Sequence, residues 1–221
     1  MDLAAFTDGV VGFWLREPML VGLAFGLVHA LDADHVAAIG GLAVSDRSMS
    51  PTAYALRWAL GHAAALGLIA AFVLGLGVVG LMTVSGYAEI VVAATLIAVG
   101  LHALRGVAGR GAAAETHVGT LRLGGRAGVL MGMLHGGAGS AAVIALLPIA
   151  TFDTGLDSGL YLACFSIGVA AGACTFAQML AGAFACTERA SAKLRAALHG
   201  LVGIVAVATG VLLFAEIVGG G

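Results

Sequence analysis

Charged side chains are scarce in this sequence. Only 10% of its 221 residues are charged, whereas 61% are hydrophobic. A soluble domain typically has about 25% charged residues and about 45–50% apolar residues. The composition therefore excludes a soluble globular domain and predicts an integral membrane protein that crosses the lipid bilayer several times. The 35 glycines are consistent with close packing between membrane helices.

Cysteine is also scarce. The three cysteines, Cys164, Cys174 and Cys186, share one apolar segment and form no Cys-x-x-Cys motif. An odd number of cysteines without a paired motif does not indicate a disulfide framework, so they are predicted to be buried apolar thiols. A thiol-redox membrane carrier remains an alternative function, although it would be expected to have paired cysteines, ideally one in each half of the chain.

Several motifs of enzymes and ATP-driven pumps are absent. The sequence has no P-loop, dinucleotide fingerprint, nucleophile elbow or His-Glu-x-x-His motif. It also has no basic patch outside the loops, so no nucleic-acid partner is expected. The sequence therefore predicts that the chain is not an enzyme and has no tightly bound cofactor. An intramembrane metal-dependent enzyme remains the alternative to a transporter.

Four ionisable side chains are present within the seven residues 29–35. The surrounding residues 18–44 have no other charge and are long enough to cross a bilayer, which needs about 20 apolar residues. An aspartate at the centre of a membrane helix costs about 2.5–3.5 kcal/mol on insertion scales. Such groups normally face a bundle interior or a wet cavity and mark the path of an ion or substrate.

The spacing of these side chains indicates a metal site. On a regular helix, at about 100° per residue, His29, Asp32 and His35 fall within one arc of about 120°, and Asp34 lies on the far side. Two imidazoles and a carboxylate form half of a shell for a divalent transition metal. We expect a distortion between Leu31 and His35 that brings Asp34 to the site, as in the broken helices of transporters. Polar groups that only hold helices together are the alternative interpretation.

The sequence of residues 29–35, HALDADH, resembles the His-x4-Asp-His signature of the nickel/cobalt transporter superfamily. The segment HGGAGSAA from His135, together with residues 161–172, is similar to the short permeases of that superfamily associated with urease. Val28 stands where larger members usually have arginine, and no hydroxyl residue follows Gly61-His62. The resemblance implies uptake of Ni²⁺ or Co²⁺ through a multi-pass protein of the cytoplasmic (inner) membrane, linked to the maturation of nickel enzymes.

Six transmembrane helices are predicted, at residues 18–44, 54–79, 87–104, 127–150, 159–187 and 194–218, with a short turn at 80–86. Residues 1–17 are predicted to form an interfacial segment, and residues 105–126 a cytoplasmic loop. Nine of the ten basic residues fall in the three connections that share one side of the membrane. The positive-inside rule assigns that side to the cytoplasm and predicts both termini outside.

A weak internal repeat relates the two halves of the chain. Residues 26–29, GLVH, match residues 132–135, GMLH. Each predicted half, residues 18–104 and residues 127–221, has three spans, so the second half must be inverted in the membrane. Inverted repeats with a site near the bilayer midplane are a transporter architecture. Chance similarity between helices rich in glycine and alanine is the alternative explanation.

The predicted metal site combines both halves. Residues of the first span are predicted to form part of the coordination shell of the metal. We expect His135, from the second repeat, to complete that shell. His62 is predicted as a further station on the cation's path. The candidate metal ligands are His29, Asp32, Asp34, His35 and His135.

Overall fold

The computed structural model describes residues 17–45, 49–76, 81–108, 125–138, 148–149, 152 and 154–219. Within these residues there is no strand, and the all-α class predicted from the sequence is confirmed for them. The predicted interfacial segment except Glu17, most of the predicted cytoplasmic loop and part of the fourth predicted span lie outside the described residues. The helices are α1 (Pro18–His29), α2 (Ala33–Ser45), α3 (Pro51–Leu76), α4 (Leu81–Ala108), α5 (Gly125–Gly136), α6 (Gly155–Ala190) and α7 (Ala192–Gly219).

Among the described residues, four helices are long and apolar enough to cross a membrane. They are α3, α4, α6 and α7, with the qualifying stretches Pro51–Ala71, Glu89–Val107, Gly155–Thr187 and Ala192–Gly219. A fifth candidate consists of α1 and α2 together, which meet at an angle of 60° across a short break. A backbone in lipid must satisfy its hydrogen bonds internally, which explains why these apolar segments are helical. The chain therefore has the helices of a membrane protein.

The predicted turn at residues 80–86 is wrong for residues 81–86. The helix α4 already begins at Leu81. Glycine suggested a turn, but the segment has no proline, and an isolated glycine costs a helix only about 1 kcal/mol relative to alanine. The strong hydropathy of the following residues outweighs that cost.

The start of α6 is set by a local N-cap, Thr154. The backbone N–H of Asp157 donates to the Oγ1 of Thr154 at 3.1 Å, and that hydroxyl donates to the Oδ2 of Asp157 at 2.7 Å. The cap satisfies a backbone donor that has no partner within the helix. It fixes the beginning of the helix four residues before the predicted fifth span.

The helices pack in three main pairs, α1 with α6, α3 with α5 and α4 with α7. Glycines let the backbones touch: a Cβ atom on Gly26 would collide with the carbonyl oxygen of Phe165, and one on Gly132 with that of Trp58. Small residues at membrane helix interfaces allow this close approach. The large buried side chains of Trp58, Tyr161 and Phe165 belong to one apolar core that includes residues of both α3 and α6.

The α1–α6 and α3–α5 crossings are alike residue by residue. In each, a glycine of a twelve-residue helix faces the carbonyl of an aromatic residue on the longer helix. A second glycine, three residues after that aromatic residue, faces the short helix in return. The short helix has a histidine three residues after its own glycine. The corresponding residues are Gly26, Phe165, Gly168 and His29 in the first crossing and Gly132, Trp58, Gly61 and His135 in the second.

Candidate metal site

The first apolar span is interrupted at residues 30–32. At this break the N–H of Leu31 donates to the carbonyl of Val28 at 2.9 Å, and the N–H of Asp32 donates to that of His29 at 3.0 Å. These bonds span three residues instead of four and tighten the last turn of α1. The distortion expected between Leu31 and His35 therefore begins slightly earlier, and it separates His29 on α1 from His35 on α2.

Three imidazole rings meet beside this break. His62, near the middle of α3, holds its Nε2 at 3.3 Å from the Nε2 of His29 and at 3.2 Å from the Nε2 of His35. All three nitrogens lie within 4.8 Å of one another. The rings are buried, and His62 has no exposed surface. We call His29, His35 and His62 the histidine trio; His62, predicted as a further station on the cation's path, lies within this cluster.

Two aspartates orient two rings of the trio from behind. The Nδ1–H of His29 donates to the Oδ2 of Asp32 at 2.8 Å, and the Nδ1–H of His35 donates to the Oδ1 of Asp34 at 2.8 Å. An ionised carboxylate only accepts hydrogen bonds, so in both rings Nδ1 carries the hydrogen and Nε2 has a free lone pair. Neither carboxylate belongs to the group of three converging nitrogens. The aspartates fix ring orientation, as carboxylates do behind metal-bound histidines.

Two of the three nitrogen separations in the trio, those from His62 to His29 and to His35, match the spacing of ligands around a metal ion. In a tetrahedral site with metal–nitrogen bonds of about 2.0 Å, the nitrogens lie about 3.3 Å apart. The lone pairs of His29 and His35 both face the Nε2 of His62, which has at most one hydrogen to donate. Hydrogen bonding within the trio therefore cannot satisfy all three nitrogens, whereas one cation that accepts three lone pairs can. The donor set fits a divalent transition metal.

His135 lies beside the trio but outside the group of three nitrogens. Its ring centre is 5.8 Å from that of His35 and 5.9 Å from that of Trp58. The Nδ1–H of His135 donates to the carbonyl of Met131 at 2.9 Å, so Nε2 has the lone pair. Among the described residues this buried Nε2 has no hydrogen-bond partner. His135 is thus near the predicted shell, with a free ligand atom.

Two aromatic side chains that the sequence analysis did not identify form walls of the site. Trp58 is fully buried, with its ring centre 4.9 Å from that of His35 and 5.2 Å from that of His62. Phe165 lies 5.3 Å from His29. The sequence does not single out Trp58, because tryptophan is common near the ends of membrane spans and this one lies seven residues after the start of α3. These walls keep the trio in an apolar setting, which strengthens electrostatic interactions with a cation.

The cysteines are not arranged for redox chemistry within one chain. All three are free thiols on α6. Cys164 and Cys174 are ten positions apart, which corresponds to about 15 Å along a helix. A disulfide requires Cα atoms within about 7 Å of each other, so these two cannot be bridged without breaking α6.

Comparisons of the chain with protein-family models, with curated proteins and with solved structures find no match. What the trio can bind follows from its own donor atoms. Imidazole nitrogen suits Ni²⁺, Co²⁺, Cu²⁺ and Zn²⁺, whereas Mg²⁺ and Ca²⁺ prefer oxygen. The site is therefore suited to a first-row transition-metal cation.

Proposed function

We propose that this chain is a membrane permease for a divalent transition-metal cation, Ni²⁺ or Co²⁺. The observation that carries the proposal is the convergence of three imidazole Nε2 atoms at a break in an apolar helix. Broken helices form the substrate sites of many secondary transporters. The resemblance of residues 29–35 to the nickel/cobalt transporter signature favours these two ions over zinc and copper. The cation is the transported substrate and not a resident cofactor.

The membrane architecture that we propose has six spans in two inverted repeats. The twelve-residue α5 is about 18 Å long and cannot cross a hydrocarbon core of about 30 Å alone. We interpret it as the first part of a broken span, equivalent to α1, which also has twelve residues. Exchanging the two repeats converts the α1–α6 crossing into the α3–α5 crossing and leaves the α4–α7 pair unchanged. The matched glycine contacts in the two crossings support this arrangement.

The proposed orientation has both termini outside the cytoplasmic membrane. It is tested by single cysteines at Gly155 and Ala192, both exposed, in a background that lacks the native cysteines. We expect an impermeant maleimide to label the Gly155→Cys variant on intact cells. The Ala192→Cys variant should react only after the membrane is permeabilised. The reverse pattern would contradict the orientation.

The competing functions are less compatible with the site. A metal-dependent enzyme needs a general acid or base beside the metal, but the two nearby carboxylates, Asp32 and Asp34, already accept hydrogen bonds from His29 and His35. A thiol-redox carrier needs a pair of cysteines within bonding distance. Transport needs only the site and a driving force. A cation that enters a negative interior gains about 2.3 kcal/mol per charge for each 100 mV.

The proposal is tested with purified protein in liposomes that contain a metal-sensitive dye. An inside-negative potential is imposed, and Ni²⁺, Co²⁺ or Mg²⁺ is added outside. We expect saturable uptake of Ni²⁺ or Co²⁺, with no inhibition by excess Mg²⁺ because that ion prefers oxygen ligands. Fluxes of both transition metals no greater than in protein-free liposomes would overturn the permease proposal.

A further inference from the structure

His29 and His135 have equivalent surroundings in the two twelve-residue helices. Each follows a glycine that faces the carbonyl of an aromatic residue on the partner helix, and each ring also lies against that aromatic side chain. The ring centres are 5.3 Å apart for His29 and Phe165 and 5.9 Å apart for His135 and Trp58. The sequence repeat therefore extends to the immediate environment of the two histidines.

The two rings are also prepared as ligands in the same way. The Nδ1–H of His29 donates to Asp32 at 2.8 Å, and the Nδ1–H of His135 donates to the carbonyl of Met131 at 2.9 Å. Both rings therefore present Nε2 as the atom with the lone pair. His29 directs this atom at His62, whereas that of His135 has no hydrogen-bond partner among the described residues and is buried. The Nε2 of His29 in the first repeat thus has a partner, whereas the equivalent Nε2 of His135 in the second repeat has none among the described residues.

His35 stands between the two equivalent histidines. Its ring centre is 4.5 Å from that of His29, 5.2 Å from that of His62 and 5.8 Å from that of His135. A cation held by His35 is therefore close to both equivalent rings. Bringing one ring closer to the cation while the other moves away would need a shift of the short helices against α3 and α6.

We infer that His135 replaces His29 as a ligand when the permease opens to the opposite side of the membrane, while His35 and His62 continue to hold the cation. This inference rests on the proposed transport function and on the inverted repeats, since alternating access in such transporters comes largely from one repeat moving against the other around a fixed site. One metal–nitrogen bond to His29 breaks as one to His135 forms. The cation keeps three imidazole ligands throughout, and no proton or electron is transferred.

The test separates metal binding from metal transport in the His135→Asn variant. Binding is measured by the visible absorption of Co²⁺ bound to the purified protein, and transport by Co²⁺ uptake into liposomes. Because His135 is not a ligand in the state described here, we expect the Co²⁺ affinity to stay within about threefold of the parent. Uptake should fall by about 10- to 100-fold, because metal sites that lose a supporting group typically lose metal affinity or activity by that factor. The His29→Asn variant should lose both binding and uptake.

His199 supplies the matched control. Its Nδ1–H donates to the carbonyl of Arg195, four residues earlier, at 2.9 Å, as that of His135 does to Met131, but it lies on α7 beside Phe184. The His199→Asn variant should bind and transport Co²⁺ like the parent. The His135→Gln variant gives a second measurement if the asparagine variant does not fold, with folding checked by gel filtration.

Two results would overturn the inference. Parent-level uptake by a folded His135 variant would make this histidine a packing residue only. A loss of Co²⁺ affinity of more than about tenfold would make it a simultaneous fourth ligand, since removing a supporting group at a metal site has effects of that size. A parent protein that does not transport at all would instead contradict the proposed function, so the two failures are distinguishable.

Discussion

Replacing His35 with alanine should abolish Ni²⁺ and Co²⁺ uptake and lower the affinity for Co²⁺ by more than about 100-fold, because losing even a group that orients a ligand costs about 10–100-fold. His35 contributes one of the three converging nitrogens, and its ring contacts those of His29, His62 and His135. Its loss also leaves Asp34 without its hydrogen-bond donor. The measurement is uptake normalised to the amount of protein in the membrane, together with Co²⁺ absorption.

The control for this experiment is His102→Ala. His102 is half-buried on α4 and does not belong to the histidine trio. We expect the variant to transport like the parent. If instead the His35→Ala variant reaches the membrane and transports at the parent rate, the trio only holds helices together and the permease proposal loses its main support.

Replacing Gly61 with valine should prevent recovery of folded protein. A Cβ atom at this position would collide with the carbonyl oxygen of Val129 and lie 2.9 Å from the backbone nitrogen of Met133. Overpacking typically costs about 1–3 kcal/mol, and backbone atoms cannot rotate away as a side chain can, so α3 and α5 must separate. The next residue, His62, would move with α3 and leave the trio. The readouts are the fraction of monodisperse protein after detergent extraction and the binding of Co²⁺.

Gly67 on the same helix provides the matched substitution. No atom lies within 4 Å of a Cβ built at this position. The Gly67→Val variant should therefore be extracted as well as the parent, because the change in composition is the same but no contact is disturbed. Equal losses for Gly61→Val and Gly67→Val would show that the α3–α5 crossing is not a close backbone contact.

Composition was sufficient to predict the helical class, because an apolar chain in lipid has few other ways to satisfy its backbone hydrogen bonds. The predicted last span, residues 194–218, agrees closely with α7, Ala192–Gly219. The turn expected at residues 80–86 failed because glycine alone does not stop a helix whose neighbours are apolar. Local signals of this kind locate the helices better than they locate their ends.

The composition of the site was harder to predict than its location. His29 and His35 were identified from their motif, and a distortion of the helix was expected because a regular helix would place Asp34 on the far side. The break lies at residues 30–32, and Asp34 contacts the Nδ1 of the adjacent His35 without joining the three converging nitrogens. His62 approaches the other two rings across contacts between different helices, since α3 packs against α2 and against α6, the main partner of α1. Spacing within one segment cannot reveal such a distance.

The pairing of the helices also determines the order in which the site is completed during synthesis. The histidine trio comes from α1, α2 and α3, and all three residues have left the ribosome early in translation. The main packing partners of α1 and α3 are α6 and α5, which are made later. A nascent chain that ends after α4 therefore has every ligand of the trio but lacks the surfaces that set their spacing. The spacing of the three imidazoles is a property of the completed chain, so we expect any metal binding to need the second half as well.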